Sequence, residues 1–217
     1  MNKQQIEPFF QTLQQVNPHP QTELEYTSVF ELLCAVLMSA QATDVSVNKV
    51  TRVLFKVANT PEKLFKLGIP RLEEYIKTIG LYKSKAKHLI QTSKILIDQF
   101  NSQVPKTREE LESLPGVGRK TANVVLNCAF NEPTIAVDTH IFRVSNRVGL
   151  AKGKTPLEVE KGLLKRIPIQ YQLHAHHWLI LHGRYVCKAR SPLCQACGVS
   201  GYCDHAKKAT TKARSPK

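Results

Sequence analysis

Two sets of residues in this 217-residue chain could do chemistry. The first is Lys120, which follows Leu114-Pro115-Gly116-Val117-Gly118-Arg119, with Asp138 further on in Val137-Asp138-Thr139-His140. An amine attacks carbon only when neutral, and a helix starting at about Arg119 sets its positive end against the protonated form of Lys120. A carboxylate folded back toward that amine would stabilise positive charge developing on the carbon under attack and assist transfer of the amine's proton. Each residue also has an ordinary reading: Lys120 as a lysine that contacts phosphate, and Asp138 as the N-cap of the helix after it. The capping and electrostatic roles of Asp138 are compatible.

The second set is four cysteines within 17 residues, Cys187-x6-Cys194-x2-Cys197-x5-Cys203. Met1–Thr12 is polar and contains Pro8, so it does not read as a secretory leader, and the chain is expected in the reducing cytoplasm. There clustered thiolates bind metal instead of pairing, as an all-cysteine zinc site or a [4Fe–4S] cluster, and spacing alone leaves both open. Cys34 and Cys128 sit in apolar runs and read as inert core thiols. His174, His176, His177 and His182 resemble a ligand group, but the spacing of the first three scatters them around a helix.

The elements that must position these residues are helical. Thr107-Arg-Glu-Glu110 has capping-box form and starts a short helix that ends near Leu114-Pro115. Gly116 and Gly118, straddling Val117, specify a tight hairpin, and Val124, Val125 and Cys128 then share one side of a second helix over about 119–130. The hairpin's free N–H groups and that helix's N-terminal end together make a seat for a phosphate. Upstream, the patterns predict helices over 3–16, 29–38 with Ser28 as cap, 44–58, 61–67, 70–78 and 83–100; downstream, over 138–148, 156–167 and 173–186. Ile79-Gly-Leu-Tyr-Lys-Ser-Lys-Ala86 weakly echoes the main hairpin.

Leu-Pro-Gly-Val-Gly-Arg-Lys-Thr-Ala followed by Val-Asp-Thr-His resembles the helix-hairpin-helix and Gly/Pro-Asp signature of the endonuclease III family, bifunctional DNA glycosylases with abasic-site lyase activity. The resemblance extends over roughly residues 1–205. It implies an all-α fold of two helical domains with the DNA cleft between them: a six-helix barrel domain over 22–132, and a discontinuous iron–sulfur domain built from 1–21 and 133–205. It also decides the cysteine question for a [4Fe–4S] cluster on Cys187, Cys194, Cys197 and Cys203. In the implied chemistry, Lys120 forms a Schiff base with the sugar of a flipped-out nucleotide, assisted by Asp138. Gln41 fills the vacated stack, Leu81 wedges the opposite strand, Gly116 and Gly118 hold phosphate, and His140 lies at the cleft. The cluster folds a loop that leans Lys188 and Arg190 on the DNA backbone.

Charge points the same way. Lysine and arginine outnumber the acids 31 to 17, a net charge of +14, which calls for a polyanionic partner. No apolar run reaches the roughly 18 residues of a membrane span. The expected partner is duplex DNA bearing damaged pyrimidines or abasic sites, bound by a cytoplasmic monomer held at the nucleoid. Residues 206–217, with five basic residues and no acid, are expected to be a disordered tail. Two rivals differ in class. One is the related monofunctional adenine-mismatch glycosylase, which carries a catalytic acid in its second helix, where Leu32–Ala42 here has none. The other is a helix-hairpin-helix module that only holds DNA, and it leaves the Lys120/Asp138 pair without a role.

Overall fold

A computed structural model describes residues 1–207. Among the described residues there are α-helices and short 3-10 turns but no strand: α1 (Ile6–Val16), α2 (Val29–Ser39), α3 (Asp44–Leu54), α4 (Pro61–Ile76), α5 (Tyr82–Phe100), α6 (Arg108–Glu112), α7 (Arg119–Phe130), α8 (Thr139–Val148), α9 (Pro156–Arg166) and α10 (Ile169–Tyr185). Most of these helices begin for a local reason. Ser28, Thr43, Thr60, Thr107, Asp138 and Thr155 each accept a hydrogen bond from the third backbone N–H of the helix they precede. Each such cap is worth about 1 kcal/mol.

The helix ends differ from the sequence patterns where proline, glycine or turns intervene. Pro8 falls in the first turn of α1, where no N–H is needed, so it is tolerated. Residues 61–78 form two helical pieces, as patterned, and the break is Gly68, at φ +76°. α3 stops at Leu54, and the chain continues to Ala58 in turns closed on the Leu54 carbonyl. α10 begins at Ile169, four residues before the patterned start, because the Pro168 carbonyl accepts the Tyr171 N–H and the proline lets the helix begin there.

The chain divides into two compact units, residues 22–131 and residues 1–21 with those from 132 on. In the first, the nearly all-apolar α2 is central and packs on α3, α5 and α7. Leu32, Leu33, Met38, Leu54, Leu72, Leu89, Leu111 and Ala122 are all fully buried in its core. A fully buried leucine contributes roughly 1.5–3 kcal/mol, so this face fixes where the hairpin before α7 must sit. In the second unit, α1 is anchored by Phe9 and Phe10. Phe10 stacks on Tyr171 of α10 with ring centroids 5.5 Å apart, and the Trp178 indole donates to the Asn17 carbonyl at 2.8 Å. α8 packs on α9 and α10 through Ile141, Val144 and Val148. Ala206 and Lys207, assigned to the tail on sequence, belong to a helical turn in which the Lys207 N–H bonds the Cys203 carbonyl. The rest of that expected tail, 208–217, lies outside the described residues.

Candidate active site and metal centre

The hairpin is built on α5. Gly116 has φ +78°, and a Cβ placed there would come within 2.6 Å of the His88 ring, so both conformation and packing demand glycine. Thr92, one turn further along α5, donates its hydroxyl to the Pro115 carbonyl at 3.3 Å. Val117 is buried between the two glycines, and its N–H returns to the Leu114 carbonyl. Gly118 does not behave as the sequence suggests. Its backbone is extended, which any residue adopts, and a Cβ there would meet nothing within 4 Å. The turn therefore needs one glycine rather than two, and Gly118 leaves open space in front of the first turn of α7.

That turn has no side-chain cap and no acidic residue. Its leading N–H groups have no partner within the helix, and they carry the helix's partial positive charge. Lys120 is its second residue and is exposed, beside exposed Arg119. The helix is braced from α6, where Arg108 donates to the buried Asn123 side chain at 3.0 Å.

Gln41 and Leu81 share an unusual backbone. Both lie in the left-handed region, at φ +55° and +61°, where residues with a Cβ are strained. The segments are neighbours, since a Cβ on Gly80 would lie 3.8 Å from the Gln41 carbonyl oxygen. Leu81 is 58 % exposed, a large apolar side chain held out by a strained turn. Such strain costs about 1–3 kcal/mol per residue and collects at functional sites.

Asp138 caps α8, accepting the Ile141 N–H at 2.8 Å, and is half-buried. Two arginines on the next turns of the same helix, which sequence reasoning passed over, tie it to the cysteine loop. Arg143 donates to the Gly183 carbonyl at 2.8 Å and to the Cys187 carbonyl at 3.0 Å, and its guanidinium lies 3.2 Å from His140 Nδ1. Arg147 donates to the carbonyls of Lys188 and Ala189 at 2.7 and 2.9 Å. Gly183 lets α8 and α10 close up, because a Cβ there would come within 2.8 Å of His140 Cβ. The signal in the sequence was the i, i+4 arginine pair on a strongly amphipathic helix. Lys188 and Arg190 are exposed on the loop that these contacts hold.

Cys187, Cys194, Cys197 and Cys203 line one pocket, with Arg147, His182 and Leu193 among its other walls. Desolvation raises the Cys197 and Cys203 thiols above their ordinary range, and the charge of a bound metal would favour their thiolates. Among the described residues, no three His, Cys, Asp or Glu side chains close around a single ion. The four cysteines lining this pocket are the soft sulfur donors that an iron–sulfur cluster would take. The other two cysteines are buried in the core of their unit or packed against it, and burial pushes Cys128 up to about 12. Burial also pushes His177 and His182 down to about 4, so both rings are neutral at pH 7.

A hairpin closed on one glycine, an uncapped helix start bearing lysine and a four-cysteine loop define a helix-hairpin-helix protein with a metal-folded segment. Residues 34–168 match the HhH-GPD superfamily of base excision DNA repair proteins, and residues 187–203 match the iron–sulfur binding domain of endonuclease III. Endonuclease III of Escherichia coli strain K12 is 57% identical over 208 residues, covering 96% of this chain and 99% of that protein. Endonuclease III of Haemophilus influenzae is 56% identical with the same coverage. Among solved structures, a trapped covalent endonuclease III–DNA intermediate superimposes with a TM-score of 0.90 at 45% identity, over 97% of this chain and 99% of that one. A thermostable thymine-DNA glycosylase, at 21% identity and TM-score 0.81, shares the fold. The chain belongs to the endonuclease III family, and it is a base-excision repair DNA glycosylase and abasic-site lyase with a [4Fe–4S] cluster. The adenine-mismatch alternative finds no catalytic acid in α2. The acid at that helix's start, Glu31, is buried and spends one carboxylate oxygen on the Thr27 N–H and hydroxyl, at 2.6 and 2.8 Å.

Proposed function

We propose that this protein removes oxidised pyrimidines from duplex DNA with Lys120 as nucleophile and Asp138 as its electrostatic partner, acting as a cytoplasmic monomer held at the nucleoid by DNA. A base inside the duplex is out of reach, so the nucleotide is turned out of the stack. Gln41 fills the gap and Leu81 enters beside the opposite base, and the strained, exposed setting of Leu81 supports that role. The hairpin from Gly116 to Gly118 seats a backbone phosphate on the N–H groups opening α7, which positions the protein without reading sequence. His140 lies along the flipped nucleotide, and Lys188 and Arg190 add phosphate contacts from the cluster loop.

The neutral Lys120 amine attacks C1′ of the deoxyribose. The glycosidic bond breaks, and the base leaves with the bonding pair and takes up a proton. Asp138 stabilises positive charge on the sugar in that transition state and assists loss of the amine's proton. Ring opening gives a Schiff base, which acidifies the C2′ protons. Removal of one expels the 3′ phosphate, and water then releases Lys120. The observation that carries this reading is the first turn of α7, which presents Lys120 to solvent with no cap and no acid to occupy its positive end. Cys187, Cys194, Cys197 and Cys203 are proposed as the ligands of the cluster, whose part is to fold the basic loop rather than to move electrons in base removal.

Incubation with a duplex carrying one thymine glycol, followed by a denaturing gel, tests the assignment. Cleavage 3′ to the lesion, leaving an unsaturated sugar fragment, is expected. Base loss that yields strand breaks only after alkali would mean a monofunctional enzyme.

A further inference from the structure

Lys85 is a charged side chain that the chemistry above does not use. It is only 5 % exposed, and among the described residues its amine has no hydrogen-bond partner. Desolvation holds its pKa below the ordinary lysine range. A buried ammonium without an acceptor is costly, and such a group persists where something other than the resting fold supplies the partner.

Its position says what that partner is. Lys85 lies in the first turn of α5, directly after the Gly80-Leu81 turn that the sequence marked as a faint echo of the main hairpin. Leu81 occupies the N-cap position in the left-handed conformation, and no side chain caps the helix. The leading N–H groups of Tyr82, Lys83 and Ser84 have no partner within the helix, and Lys83 and Ser84 are exposed. Helical side chains lean toward their own N-terminus, so the Lys85 stem lies over this turn. On the same stripe of α5, His88 packs beneath Gly116 and Thr92 bonds the Pro115 carbonyl, so one helix carries the main hairpin and this second turn.

We propose that the start of α5 is a second phosphate seat, formed by the uncapped N–H groups after Leu81 and the Lys85 amine, for the backbone of the strand that Leu81 enters. The anion supplies the acceptor that Lys85 lacks, and seating it fixes the strand as Leu81 is pressed into the stack. The proposal rests on the reading of Leu81 as a wedge in duplex DNA.

The test compares wild type with Lys85→Met, an apolar side chain of similar length, and with Lys87→Met, an exposed neighbour on the same helix. Binding to a duplex bearing a tetrahydrofuran abasic analogue is measured across a salt series, with thermal melting of each free protein. Lys85→Met is expected to melt no lower than wild type, because an unpartnered amine has been removed. Its affinity should fall about tenfold, the usual cost of removing a hydrogen bond to a charged group. The slope of log K against log salt should be shallower by about 0.9, since one phosphate fewer is neutralised. Lys85→Gln, which keeps a polar stem without the charge, carries the same expectation if the methionine variant does not fold. An unchanged slope with a lower melting temperature, or a change in slope no greater than that of Lys87→Met, would overturn the seat while leaving the enzyme assignment intact. A wild type that binds no duplex would overturn both.

Discussion

At the scale of single residues, one substitution separates the cap that Asp138 supplies from the electrostatic role proposed for it. Its carboxylate caps α8, and an asparagine in its place can still accept the Ile141 N–H. Asparagine cannot stabilise a developing cation through net charge. Asp138→Asn should therefore melt within a degree or two of wild type while single-turnover base release slows by roughly 10² or more. Wild-type turnover in that variant would leave Asp138 as a cap alone. Lys120 and Asp138 stood out in the sequence because the chemistry proposed for them shows in residue type and context. Arg143, Arg147 and Lys85 did not, because their importance lies in what surrounds them. The arginines matter through carbonyls about 40 residues away in the chain, at Gly183, Cys187, Lys188 and Ala189. The seat proposed at Lys85 turns on its lacking a hydrogen-bond partner among the described residues, which no spacing encodes.

At the scale of elements, hydrophobic period and caps made most helices legible. α7 spans the residues its pattern assigned, and Ser28, Thr107 and Asp138 cap as their types suggested. What escaped was backbone conformation. The sequence treats Gly116 and Gly118 alike, whereas the structure requires a left-handed residue only at Gly116. The two positions should respond in opposite ways to alanine. Gly116→Ala meets the His88 ring as well as the positive φ, and it should destabilise the protein by about 1–3 kcal/mol, read by chemical denaturation. Gly118→Ala should leave stability within about 0.5 kcal/mol of wild type, as for a surface change with room to spare, yet weaken DNA binding by crowding the approach to α7. Equal destabilisation by both would contradict this account of the hairpin. The left-handed residues at Gln41 and Leu81 were invisible for a related reason, since neither type announces a positive φ.

At the scale of the whole molecule, the net charge of +14 supplies attraction to a polyanion, and the hairpin, the strained turns and the cluster loop are the elements proposed to make that attraction specific in geometry. The part proposed for the cluster loop is played through folding. Its cysteines sit among short 3-10 turns and carbonyls clamped by α8, so metal-binding energy is local folding energy. Cys194→Ser should bleach the broad visible absorption of an iron–sulfur protein and lower DNA affinity through the loop that carries Lys188 and Arg190. Unchanged affinity in the bleached protein would assign the cluster another purpose. The central claim is that one lysine both releases the base and cuts the strand, and borohydride trapping tests it most directly. With a thymine glycol duplex, borohydride should convert the Schiff base to a stable protein–DNA adduct, and peptide mapping should place the DNA remnant on Lys120. Lys120→Gln should give neither adduct nor cleavage. A full yield of adduct from Lys120→Gln, or a remnant mapped to another residue, would contradict the account.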